Sequence, residues 1–240
     1  MKFYNLGMST AVCGLAFLFS VTNASATVTG HLDIANCTGG GVTVTATTID
    51  FTLPVGGGTG CIQTGTGTNV AYAGGGPLLP GVAGTILDLT AGGGTVVDFM
   101  TFIGNPLLHF DLTGLGPGVN NTTCATTFDP NAASCSVVAG SPFILSPTST
   151  GTSITLSAFG IARDGSLPTS TFSGAFTTQI AGVTPQSIKT TILTTGGSVS
   201  STDSADFVIN FTGVPEPSTI SMAALGGLLV AFAARKRSRA

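Results

Sequence analysis

The chain has 240 residues, of which only 7% are charged, with no tryptophan, 35 glycines and 39 threonines. Between residues 27 and 213 nine aspartates face two cations, Arg163 and Lys189, a net charge of −7 that the whole-chain value of −3 conceals, because five of the seven basic residues sit near the termini. That balance excludes nucleic-acid binding and electrostatic recruitment to an anionic membrane surface, and a middle poor in Lys, Glu and Arg suits strands and tight turns better than helices.

In chain order, Lys2, the apolar stretch Met8 to Val21 and the small residues Ala24-Ser25-Ala26 have the layout of a secretory signal peptide. Cys13 lies inside the apolar stretch and leaves with it. The mature chain is expected to begin at Thr27, after handling by the Sec machinery and signal peptidase.

Residues 27–213 are long enough for one good-sized domain. Apolar and polar residues alternate with a period of two at Val42 and Val44, at Ile154, Leu156 and Ala158, and at Phe207, Ile209 and Phe211, the pattern of half-buried strands. Thr85 to Leu89, Thr95 to Phe102, Leu107 to Leu112, Ser170 to Ile180 and Ile188 to Thr194 read as further strands, separated by Gly, Pro and Asn. The glycine-rich patches Gly56 to Gly60, Gly74 to Gly76 and Gly92 to Gly94 read as loops. Such a series predicts an all-β domain, a single antiparallel two-sheet sandwich of jelly-roll or Ig-like type.

Without Cys13 four cysteines remain, Cys37, Cys61, Cys124 and Cys135, an even number in an exported and therefore oxidising setting. Four cysteines allow three pairings, and proximity favours Cys37 with Cys61 and Cys124 with Cys135. Their spacings do not match a metal site.

Catalytic patterns are scarce. The chain has no Gly-x-Ser-x-Gly elbow, no His-Glu-x-x-His and no phosphate-binding glycine loop. His31 and His109 are the two histidines available as general bases, and both read as outward-facing strand residues. A glycosidase needs paired carboxylates, yet the domain has no glutamate and its aspartates are scattered, many at turns such as Asp129-Pro130-Asn131. Without tryptophan, only Tyr72 or an exposed Phe could stack on a sugar. Asp203 and Asp206 could donate oxygens to calcium, but no Asp-x-Asp-x-Asp-Gly loop surrounds them, and a solvated turn explains them equally. No enzyme activity, cofactor or metal is expected.

The tail is the most informative segment. Val214, Pro215, Glu216 and Pro217 precede the uncharged run Ile220 to Ala234, which ends in Arg235, Lys236, Arg237 and Arg239. Counted from Ser218, that run reaches the short end of what crosses about 30 Å of hydrocarbon as a helix, and the basic residues would stay cytoplasmic while the domain faces outward. Motif, apolar run and basic tail, in this order, resemble the PEP-CTERM sorting signal of bacterial exported proteins. The resemblance implies that Pro215, Glu216 and Pro217 are substrate residues for exosortase, a membrane protease, and that the protein leaves the inner membrane for the cell surface or the exterior. Two prolines suit recognition because they fix an extended backbone around a single carboxylate.

Three segments are therefore expected: a signal peptide at 1–26, a β-sandwich at 27–213 and a sorting signal at 214–240. The expected function is that of a non-catalytic surface or matrix protein associated with exopolysaccharide or the cell envelope. A carbohydrate-binding module and a secreted hydrolase using Asp111 or His109 are the alternatives.

Overall fold

Alternating burial runs through nearly every strand of the domain, so each strand has one packed and one wet face. The computed structural model describes residues 28–52, 59–90, 94–165 and 169–210. Among them the strands are β1 (Gly30–Asn36), β2 (Gly41–Val44), β3 (Thr48–Thr52), β4 (Thr59–Thr64), β5 (Ala83–Leu87), β6 (Leu89–Thr90), β7 (Val96–Phe102), β8 (Leu108–Leu115), β9 (Phe143–Pro147), β10 (Gly151–Asp164), β11 (Ser170–Ala181), β12 (Val199–Ser201) and β13 (Ser204–Asn210), with one helix, α1 (Pro185–Leu193).

The expected sandwich is not what forms. Eight antiparallel strands run in the order β11-β13-β1-β4-β5-β7-β8-β10, and β10 pairs back onto β11 from Gly151↔Ala181 to Ala162↔Ser170, so the sheet closes into a barrel. Alternation specifies one buried face per strand and is the same for either architecture, whereas closure depends on curvature. Two glycines inside the barrel allow that curvature. A Cβ at Gly160, beside an irregularity against β8, would lie 2.0 Å from the Asp111 carbonyl oxygen and 2.6 Å from the Phe172 ring. One at Gly174 would lie 1.9 Å from the Asp206 carbonyl oxygen and 2.6 Å from the Phe207 ring. Backbone and ring thus occupy the space of the missing side chain.

The interior is a chain of phenylalanines. Phe102, Phe110, Phe172, Phe207 and Phe176 touch in succession at centroid separations of 5.9, 5.6, 5.5 and 5.3 Å, all edge to face. Phe176 continues the series to Phe99 at 6.1 Å and to Phe51 at 5.7 Å. Each such side chain contributes roughly 1.5–3 kcal/mol by burial, plus about 0.5–1.5 kcal/mol where edge meets face.

Both ends of the barrel follow from the strand registers. At one end, which we call the proximal end, β1 begins and β13 finishes as neighbours, Gly30 facing Ile209, and three chain connections join strands there, 65–82, 103–107 and 165–169, the last including residues 166–168 outside those described. At the other, distal end sits a second sheet, β12-β2-β3-β6. Its Val42, Val44, Ile49 and Phe51 face Ile154, Leu156 and Phe176 of the barrel across a space of about 30 Å³. β9 extends the distal half of β10, opposite β11.

Ile188 to Thr194, expected as a strand, belongs to α1. Thr184 caps the helix, its hydroxyl accepting from Ser187 N, and proline stands at its first turn. Ile188 and Ile192, four residues apart, form its buried stripe. No helix among the described residues is long and apolar enough to cross a membrane. The expected leader and tail helices, with Phe211, fall outside those residues.

Candidate functional site

The two bridges favoured by proximity are present: Cys37–Cys61, Cα atoms 5.4 Å apart, and Cys124–Cys135, 5.2 Å apart. The first ties the distal end of β1 to β4. The second closes a turn within the long connection from β8 to β9, which Lys189 of α1 also holds, by donating to the Thr122 carbonyl, 2.5 Å away.

The densest charged cluster lies on the outer wall, where β7, β8 and β10 run side by side. Asp98 interrupts the β7–β8 register with a left-handed backbone, φ 54°, and its N–H donates to Asp111 Oδ1 at 2.8 Å. Arg163, opposite His109 on β10, donates from Nε to Asp111 Oδ2 at 2.5 Å and from Nη2 to Asp111 Oδ1 at 2.9 Å and Asp98 Oδ1 at 2.7 Å. Burial pushes the Asp111 carboxyl up, but the Arg163 guanidinium, the Asp98 N–H and His109 outweigh it and hold the group below its ordinary value. His109 sits between two acceptors, with Nδ1 at 2.8 Å from Asp98 Oδ1 and Nε2 at 3.0 Å from the Pro106 carbonyl. Nε2 is hydrogen-bonded to the Pro106 carbonyl, whereas Nδ1, close as it is to Asp98, is buried without a hydrogen bond of proper geometry. The cluster's evident work is to hold a strained bulge in place.

The remaining candidates are dispersed. His31 lies on the outer wall with Nε2 at 2.6 Å from Asp206 Oδ1. Asp203 instead turns toward the space between the small sheet and the barrel, and its Oδ1 has no hydrogen-bond partner among the described residues. Burial raises the Asp203 carboxyl above its ordinary value, with the Asn36 amide opposing. The pair considered for calcium thus points to two different places, and among the described residues no three His, Cys, Asp or Glu side chains gather in a metal-binding group. At the proximal end, buried Asp164 accepts from Gly74 N at 2.5 Å, and the Tyr72 hydroxyl donates to Asn105 Oδ1. Tyr72 is buried, not available for stacking on a sugar, and its hydroxyl is shifted up by burial and then by the Asp164 charge.

A concavity among the described residues is large enough for a ligand. A groove of about 690 Å³ opens at the distal end between the β2–β3 turn, the segment Val137 to Phe143 and the last turn of α1. Its floor is apolar, with Leu89, Leu115, Phe143 and Ile192, its rim carries Thr45, Thr47 and Ser141, and none of its lining residues is charged. The volume falls within the usual range of small-molecule sites, about 300–1,000 Å³. Sequence reading missed it because five distant segments build it.

Val214, Pro215, Glu216 and Pro217, with the basic residues Arg235, Lys236, Arg237 and Arg239, lie outside the described residues. Residues 213–238 match the family model of the PEP-CTERM protein-sorting motif, which takes in the Pro-Glu-Pro core and all but the last of those basic residues. No curated protein and no solved structure matches the chain. The motif implies processing by exosortase, a membrane protease, and export to the cell surface or beyond. The chain thus carries a PEP-CTERM protein-sorting motif at residues 213–238.

Proposed function

We propose that the barrel is a non-catalytic module of the cell envelope or extracellular matrix, held at the inner membrane by its tail until exosortase processes it. The observation that carries this reading is the uncharged groove at the distal end, opposite the end at which β13 finishes. The chain leaves the barrel from the proximal end at Asn210, only a few residues before Pro215, while the uncharged groove opens at the distal end. A module attached by one end and concave at the other is suited to holding something outside the cell. Charged side chains that might do chemistry are instead spent on one another, as in the Asp98, His109, Asp111 and Arg163 cluster.

The test is the intact mass and terminal peptides of the protein from membrane, envelope and extracellular fractions of its host. A species beginning near Thr27 and ending near Pro215, outside the membrane fraction and enriched with extracellular polymer, is the expected result. A species confined to the soluble periplasm would sink the matrix reading.

The groove favours one second reading, a carbohydrate-binding module for a neutral glycan. Hydroxyls on its rim match sugar hydroxyls, and the absence of charge disfavours uronate or sulfated polymers. A glycan array in which no sugar is retained by the wild-type protein yet lost by Thr47→Lys would count against it.

A further inference from the structure

The three connections of the proximal end share an unusual composition. Residues 65–82, 103–107 and 165–169 contain no Asp, Glu, Lys, Arg or His. Their turns nevertheless present large aliphatic side chains to solvent: Leu79 is 56% exposed, Ile103 71% and Leu107 44%. Ile103 stands at the tip of a tight turn closed by Asn105 N to the Phe102 carbonyl at 3.1 Å, with Gly104 at φ 79° as its second central residue. Leu79 precedes the corresponding Pro80-Gly81 pair, where Gly81 has φ 85°. Polar residues usually occupy such tips. Exposed aliphatic groups gathered on one face of a domain mark an interaction surface.

What that surface meets follows from the covalent chain. Asn210 ends β13 at this end, and Pro215 follows five residues later, a reach of at most about 18 Å. The motif has to reach a membrane protease, so this end comes close to a bilayer during processing. The geometry points to a lipid-facing foot: Leu79, Ile103 and Leu107 rest in the interfacial layer of the membrane while the sorting signal is still attached. This rests on the sorting reading above. The domain's net acidity does not oppose it, because the contact is apolar and this end's connections are charge-free; of the carboxylates beside them Asp164 is buried and Asp33 accepts from Gly67 N at 3.4 Å, while Asp50, Asp88 and Asp129 lie in distal segments. A lipid surface fits better than a protein partner, since the side chains stand on separate turns.

The test uses the full chain reconstituted in phosphatidylcholine vesicles, with a nitroxide label at Ile103→Cys or, on the groove rim, at Thr47→Cys. Flotation reports whether the tail holds the chain on the bilayer, and collision with oxygen or a water-soluble nickel chelate reports what each label touches. The expected result is several-fold lower nickel accessibility at position 103 than at 47, with oxygen accessibility reversed. Adding Leu79→Ser and Leu107→Ser should remove that difference without changing the melting temperature. Equal accessibility at the two positions on floated protein overturns the foot and leaves the sorting reading intact. Shielding of position 103 that arises only when exosortase is co-reconstituted overturns it in favour of a protein contact. Failure to float sinks the membrane-bound intermediate, and the foot with it.

Discussion

The two ends of the barrel are built by different means. The proximal end carries three connections with no charge and no disulfide, tied by polar contacts such as Gly74 N to Asp164 and Tyr72 to Asn105. The distal end carries a second sheet, a helix and both disulfides. The cross-links thus lie where the groove is, and the end at which β13 finishes has none among the described residues.

Substitutions can break or sharpen that contrast. The largest effect is expected from Phe172→Ala, which empties the middle of the phenylalanine chain shared by both ends; a loss of about 3–5 kcal/mol should appear as a single cooperative shift in urea unfolding. Two separate transitions would show instead that the ends fold as independent units. Replacing Cys124 and Cys135 together by Ala opens a loop spanning 11 positions in sequence and should cost about 2–3 kcal/mol. Hydrogen exchange should then quicken in the β8–β9 connection and α1 but not in the proximal turns.

Arg163→Met tests the wall between the ends and should cost about 1–2 kcal/mol at pH 7, because it leaves the buried Asp111 without its cation. Asp111 has a folded value below its unfolded one, so its contribution is complete above the unfolded value of about 4 and is lost as pH falls through the folded value. The wild-type advantage should therefore shrink in acid, and an advantage that grows below pH 4 would contradict the pairing. Asp203→Asn is the smallest change and has the opposite sign. The folded value of Asp203 is raised, so its contribution is complete below about pH 4 and declines as pH rises through the folded value. An amide does not ionise, so the variant should match wild type in acid and exceed it by about 1 kcal/mol at pH 7. Equal stabilities at both pH values would mean that Asp203 is well solvated.

Much of the fold was legible because alternation is a local signal. Ile154, Leu156 and Ala158 lie in β10, and Phe207 and Ile209 in β13, as their period of two requires. The closing pair β10–β11 was not legible, since it depends on how far the sheet curls, and curvature is encoded in isolated glycines such as Gly160 and Gly174 whose neighbours are distant in sequence. α1 announced itself through Thr184-Pro185 and the four-residue spacing of Ile188 and Ile192, a signal overlooked beneath the β-rich composition. Of the charged cluster, His109 and Asp111 sit two apart on one strand and could have been paired; Asp98 and Arg163 join them only through strand register. The sorting signal was fully readable because its chemistry is linear.

The adjacency of β1 and β13 has a mechanical consequence. A pull between the tail and anything gripped at the far end runs along the strands, so the hydrogen bonds that tie β13 to both β1 and β11 are loaded together and must slide in shear. A seam loaded this way yields all at once or not at all, whereas one peeled from an edge gives way bond by bond.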